Sequence, residues 1–517
     1  LDAIKPAVFE DIAEYSPQDG YMPLELVSGW LSDTLNAKID PIRLERVDGL
    51  IQARGLKYID TDQDSRGLAS ATVACLGWLN HDFTLFKVER ERRGRNEPPP
   101  TREEREEAKR SLAAAREKLA QSWRESFRRW VSVDEARRAQ LTHAYNRANR
   151  GRVVPSYSSE PIDIARWGEG APRPKPHQVA AARRILDNGC GLLALDVGVG
   201  KTYTAILVMA AARQRGQVRR PVIVVPSSIV WKWHDDIRCT LPDYRVSVIG
   251  SNRKRLSKGE RKGVVTSETD TPEQRAAKWT EFQAGQVDVV ILSFDALGRT
   301  KMNQQAVVDY IEKVEAVSRS INLRRRSLKK RAEQKEKKEE KLSERDAALL
   351  EHGVSAWVEE TLRLPKGQEY DPGIRWDELG IDMLIVDEAA AFKNLYMPQP
   401  REDGVPKFMG TAGEGSHRAW QLDFRAAAVR KHTGGSGIVL LTATPAKNSP
   451  LEFYNILQFI DPSIFSKSGI HDPEQFIDTF LRIEQRDVLD TSFNATVKSA
   501  VVGFKHLDDL RTIIFSL

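Results

Sequence analysis

The chain has 517 residues, 40% hydrophobic and 29% charged, with a formal balance of +6. Such a length accommodates roughly two to four domains, and the composition excludes a wholly disordered chain. The three cysteines, Cys75, Cys190 and Cys239, are far apart and lack clustered histidines, so neither a disulfide framework nor a zinc site is readable. No run reaches the roughly 18 apolar residues of a membrane span, and "LDAIKPAVFEDIAEY" lacks the basic start and apolar core of a secretion signal. A reducing, cytoplasmic setting with no membrane contact is expected, and the chain reads as a fragment of a longer polypeptide.

Residues 1–150 read as a helical, non-catalytic domain. Thr101 with Glu104 three residues on forms a helix-start signal. Leu112, Ala115, Leu119, Trp123, Phe127 and Trp130 then recur at helical spacing, which predicts one apolar face. Packing within its own domain is the simpler use of that face; an arm for a protein partner is the alternative.

A polar linker with Pro and Gly, 151–176, precedes a change of texture. Short aliphatic runs, "GLLALDV", "PVIVVPS", "VDVVILS", "IDMLIVDEA" and "GIVLLTATP", alternate with helical patterns. Continuous Val, Ile and Leu runs suit strands buried on both faces, so a parallel α/β sheet is predicted over 177–301 and 376–462. A charged helical insertion, 302–375, interrupts it. Within that insertion residues 319–345 carry twelve basic side chains against five glutamates. A solvated helix is the plain reading of this run; an arm along DNA phosphates, led by Arg324, Arg325 and Arg326, is the functional one.

Chemistry concentrates where strands end. Gly198, Val199, Gly200, Lys201 and Thr202 follow an apolar strand and open a helix. They offer glycines for close approach, a helix N-terminus, a lysine for phosphate and a hydroxyl for magnesium. Leu195 stands where the full phosphate-loop pattern has its first glycine. Asp387 and Glu388 end a second strand, placing one carboxylate for the metal and one for water. Thr442, Ala443, Thr444 and Pro445 end a third, where small hydroxylated residues suit a coupling element. A Gly- and Pro-rich stretch after Asp387, "YMPQPREDGVPKFMGTAGEGSHRAW", reads as a surface loop, with a mobile loop that orders on DNA as the alternative.

In this order the motifs resemble the first motor lobe of Swi/Snf-type DNA translocases of helicase superfamily two. The phosphate loop is similar to motif I, and "PKPHQVAAARRIL" to the adenine-side segment, with Gln178 at the glutamine. "RPVIVVPSSIVWKWHDDI" is similar to motif Ia, "VDVVILSFDAL" to motif Ib, Asp387–Ala390 to motif II and Leu441–Pro445 to motif III. Upstream, "LTHAYNRANRGRVVPSY" looks closest to helicase-like proteins of phages, plasmids and bacterial defence or methylation loci.

The resemblance implies a RecA-like fold, ATP and magnesium as cofactors and duplex DNA as partner. It implies that Lys201 binds the β and γ phosphates, Thr202 and Asp387 hold magnesium, Glu388 activates water and Gln178 reads adenine. Ser227, Ser228 and Lys232 would face DNA phosphates, and Thr442 and Thr444 would relay between the two sites. Ala390 departs from the histidine usual in motif II. Residues 463–517 resemble a helical linker toward a second RecA-like lobe that would complete the ATP site. Strand separation, and a binding module without efficient turnover, remain open alternatives; a small-molecule kinase fits motifs Ia and III poorly.

Overall fold

The computed structural model describes residues 5–34, 42–47, 50–54, 70–88, 101–255, 265–336, 342–398, 405–410, 415–489 and 495–516. Part of the charged run, 337–341, and parts of the Gly- and Pro-rich stretch, 399–404 and 411–414, lie outside these residues.

The five aliphatic runs all form strands of one parallel sheet, joined by a sixth. In chain order these are β1 (Gly191–Ala194), β2 (Pro221–Val225), β3 (Val246–Ile249), β4 (Val289–Ser293), β5 (Met383–Val386) and β6 (Ile438–Thr442). They lie side by side as β1-β6-β5-β2-β4-β3, so the edge strand β3 is the one the aliphatic pattern did not reveal. β2, β4, β5 and β6 are buried along their whole length, which is why they read as unbroken apolar runs.

Strand alternation sends their side chains into two cores. Ile223, Val225, Met383, Ile385, Val439 and Leu441 pack in one core with the helices Pro176–Asn188, Lys201–Gln214 and Val230–Thr240. Val222, Val224, Leu384, Val386, Ile438 and Leu440 pack in the other with helices His417–Thr433 and Leu451–Ile460.

The insertion belongs to that second core. Its helices Gln304–Ile311, Glu315–Glu336, Glu344–His352 and Val354–Leu362 place Val307, Ile311, Val317, Ile321, Leu328, Leu349 and Val358 there. Neither a wholly solvated helix nor a free arm describes this part of the insertion. Buried Asp423 fastens it further, accepting from Tyr310 Oη at 3.0 Å while pairing with Arg430 at 3.7 Å.

The N-terminal region has a separate core built on Trp30, Trp123, Phe127, Leu141 and Tyr145. Its long helix, Arg102–Ser132, starts as expected: Thr101 Oγ1 accepts from Glu104 N at 3.2 Å, and Glu104 Oε2 accepts from Thr101 N at 2.8 Å. Of the predicted face, Leu112, Trp123 and Phe127 are buried, and Leu119 and Trp130 are partly buried against this core. Ala115 is exposed, and Arg116 lies inward beside the Phe83 and Phe86 rings, donating to Phe83 O at 2.8 Å. An arginine stem covers apolar surface well, so a charged residue on a buried stripe escaped a pattern based on hydrophobic letters.

Residues 463–516 are less helical than expected. Between helices Pro473–Phe480 and Leu507–Phe515 runs an antiparallel hairpin of Leu481–Leu489 and Ala495–Phe504. Its second strand also receives residue Lys407, whose N–H donates to Ser499 O at 2.8 Å. The segment is held against the N-terminal domain by buried polar contacts. His81 Nε2 lies 2.8 Å from Asp478, Gly20 N donates to Thr479 Oγ1 at 3.0 Å, and the Tyr145 hydroxyl donates to Asp509. Arg319 of the insertion joins the same seam, pairing with Asp472 and donating to Asn80 O at 2.7 Å.

Candidate functional site

All six strands are parallel, so the loops after their C-terminal ends meet along one rim. Along it stand, in spatial order, the phosphate-type loop after β1, the Thr442–Pro445 loop after β6 and Asp387-Glu388 after β5. Next come Ser227-Ser228 after β2 and Asp295 after β4. Ala194 is in register with Thr442, and Val386 with Leu440. The start of the loop and the two carboxylates are therefore about 10 Å apart across the sheet, two strand spacings, with Thr442 between them.

The loop has the geometry of an anion cradle. Gly198 and Gly200 take φ of 83° and 89°, which a side chain would resist, and a Cβ on Gly198 would meet open space. Gly200 caps the helix Lys201–Gln214 with no side-chain hydrogen bond, so the first-turn N–H groups beside Lys201 and Thr202 are left for an acceptor. Lys201 Nζ donates to the carbonyls of Leu195 at 3.0 Å and Asp196 at 3.2 Å, and among the described residues no carboxylate pairs with it. Neutral carbonyls are weak partners for an ammonium, and phosphate oxygens would replace them readily. These residues fit a triphosphate.

Gln178 is buried under this loop. Its amide donates to Val199 O at 3.0 Å, and its oxygen accepts from Lys175 N at 2.8 Å. A Cβ on Gly200 would collide with that amide. The side chain expected to read adenine thus also shapes the loop.

Asp387 is nearly buried, with both carboxylate oxygens oriented. Oδ1 accepts from Glu388 N and Oδ2 from the indole Nε1–H of Trp233, each at 2.9 Å. Glu388 is exposed at φ 50°, ψ 45°, a left-handed conformation costly for a residue with a side chain, which turns it away from the strand direction. Among the described residues no cluster of three metal-binding side chains occurs. Magnesium carried on phosphates needs only one or two protein ligands, so Thr202 and Asp387 would be enough to hold it.

Ser227, Ser228 and Lys232 are all exposed, on the segment that follows β2, the strand next to that of the two carboxylates. Ser227 Oγ donates to Asp295 Oδ2 at 2.8 Å, joining the loops after β2 and β4. Burial raises the Asp236 carboxyl above its ordinary value, against the pull of nearby Lys232. Thr442 is buried and accepts from Thr444 N at 3.1 Å, while Thr444 is exposed.

Arg324, Arg325 and Arg326 are committed within the chain. Arg324 pairs with Asp346 at 3.3 Å, Arg325 donates to Leu350 O at 3.0 Å, and Arg326 lies 3.9 Å from Asp82 of the N-terminal domain. They fix the insertion's helices to each other and to the domain beside them.

Sequence reasoning gave no role to Trp233, Lys393, Glu452 or Asn455. For Trp233 a signal existed: it stands with Val230 and Ile237 at the three- and four-residue steps of one apolar helix face.

A family model for a probable helicase domain matches residues 184–502, more than half of the chain. Among curated proteins, the "Defense against restriction protein B" of Escherichia phage P1 is 25% identical over 422 residues, covering 75% of this chain and 17% of that protein. The RNA polymerase-associated protein RapA of Pseudomonas putida is 35% identical over 86 residues, which are 16% of this chain and 9% of that one. The chain thus spans a small part of the curated relatives it matches. Among solved structures, the Sulfolobus solfataricus SWI2/SNF2 ATPase core in complex with dsDNA aligns with a TM-score of 0.32 and 12% identity, over 62% of this chain and 40% of that one. Among the described residues no helix is long and apolar enough to cross a membrane. By its family match, and in agreement with the Swi/Snf-type order of its motifs, the chain belongs to the probable helicase domain family.

Proposed function

We propose that the chain is the first motor lobe of an ATP-dependent double-stranded DNA translocase or remodeller. One observation carries this reading: the cradle at Gly198–Thr202 and the carboxylates Asp387 and Glu388 share one rim, with the Thr442 strand between them. In it Lys201 and the first-turn N–H groups bind the β and γ phosphates, and Gln178 holds the loop and meets adenine. Thr202 and Asp387 hold magnesium, which when bound offsets phosphate charge. Glu388 orients the attacking water and accepts its proton as the bond to ADP breaks. Ser227, Ser228 and Lys232, after the strand beside that of the carboxylates, contact DNA phosphates, a positioning role indifferent to sequence. A second RecA-like lobe supplies the arginines that close the site.

The phage P1 relative is named for defence against restriction, and we place this chain in the same kind of setting, a motor acting on DNA of phages, plasmids or defence loci. ATPase assays with duplex, single-stranded and no DNA test the reading. Stimulation by duplex supports translocation, preference for single strands supports strand separation, and nucleotide binding without turnover even with a second lobe supports a passive module. The 517-residue chain alone should turn over slowly, and brisk duplex-stimulated hydrolysis by it would refute the need for a second lobe.

A further inference from the structure

Beyond the motif residues, one buried acid touches both halves of the rim. Glu452, in the first turn of the helix Leu451–Ile460, is 4% exposed. Its Oε1 pairs with Lys393 Nζ at 2.8 Å. Its Oε2 accepts from Lys447 N at 2.6 Å and Asn448 N at 3.3 Å. Lys393 closes the 3-10 turn Ala389–Phe392 that directly follows Glu388, whereas Lys447 and Asn448 lie in the loop beyond Thr444. One carboxylate therefore ties the backbone after the water-activating residue to the backbone after the hydroxylated loop.

A second side chain on the same helix face repeats the grip. Asn455 donates to Lys393 O at 2.7 Å and Tyr396 O at 2.9 Å, and accepts from Tyr396 N at 3.1 Å. On its other side the turn packs by Phe392 against Phe294, ring centroids 4.8 Å apart, directly after β4. The turn after Glu388 is thus clasped between the loop after β4 and the loop after β6. A buried carboxylate is costly unless fully paired, and here each oxygen is paired to a different segment, so the segments move together or the pairing is lost.

We infer that Glu452, with Lys393, is a positioning residue that couples the Thr442–Asn448 loop to the placement of Glu388, so that duplex DNA at the rim and nucleotide in the cradle alter each other's affinity. The inference rests on the proposed motor function. Thermodynamic linkage makes such coupling reciprocal and measurable without turnover.

The test measures binding of a non-hydrolysable ATP analogue with magnesium to the 517-residue chain, with and without saturating duplex DNA. Glu452→Gln keeps shape and one acceptor, Lys393→Met keeps the stem, and a double variant completes the cycle. In the unaltered chain DNA should change analogue affinity about tenfold. Each variant should bring that factor below about twofold, the double variant no further, while DNA and analogue each bind alone as before. Thermal melting monitors folding, and a role confined to helix capping would lower the melting temperature and leave the linkage factor intact. That outcome, or an unaltered chain that binds both ligands with no linkage, overturns the inference. Failure of the unaltered chain to bind nucleotide or duplex DNA at all would instead sink the motor reading.

Discussion

The sheet rim and the seam between the N-terminal domain and residues 463–516 are both rich in polar and charged groups, and they use them in opposite ways. At the seam charges are consumed: Arg319 is buried against Asp472 and Asn80, and Tyr145 against Asp509. At the rim they are held in reserve, with Lys201 resting on two carbonyls and Glu388 exposed on a left-handed backbone. The same residue types thus mark architecture where they are saturated and chemistry where they are oriented but spare. By this criterion Arg324, Arg325 and Arg326, read from sequence as the head of a DNA arm, fall with the seam.

Substitutions can break this contrast. Glu388→Gln, at the rim, should lower hydrolysis in a complete motor by about a hundredfold to ten-thousandfold with nucleotide binding and melting temperature kept, checked by single-turnover assays and calorimetry. Arg319→Met, at the seam, should do the reverse. It removes the guanidinium from buried Asp472, leaving that carboxylate the Gln475 N–H, and should destabilise the fold by about 3 kcal/mol in urea unfolding, with nucleotide affinity preserved in the molecules that remain folded.

Trp233→Phe sharpens the contrast within the rim. It keeps an aromatic ring but removes the N–H to Asp387, a hydrogen bond to a charged group worth about 1.5–3 kcal/mol. The magnesium concentration needed for half-maximal nucleotide binding should rise about tenfold or more, read by titration at fixed nucleotide. The smallest effect is expected from changing Arg324, Arg325 and Arg326 together to glutamine. Melting temperature should fall modestly, and the salt dependence of duplex binding should keep its slope. A slope reduced by about three would return these arginines to the DNA surface.

Much of the rim was legible because it obeys local rules. A strand buried on both faces reads as an aliphatic run, and the residues just past each run form a rim loop, so Lys201, Asp387 and Thr442 could be placed from letters alone. The Thr101 helix start was legible for the same reason. Features set by distant contacts escaped. The Glu452–Lys393 pair spans 59 positions of sequence, and nothing local distinguishes Glu452 from any acid opening a helix. The partners of Arg324, Arg325 and Arg326 come from another helix and another domain, so a run of like charges read as a solvated face or a DNA arm. The hairpin of 481–489 and 495–504 was missed because more than half of its first strand is polar and its second strand pairs with a loop after motif II.

The position of β6 has a consequence for how strain would spread. It is the strand shared by the cradle's strand and the carboxylates' strand, hydrogen-bonded to both. In the proposed motor, a push on the loop at its end would reach the strands of the cradle and of the carboxylates together, so misalignment there would blunt hydrolysis even with every reacting group intact.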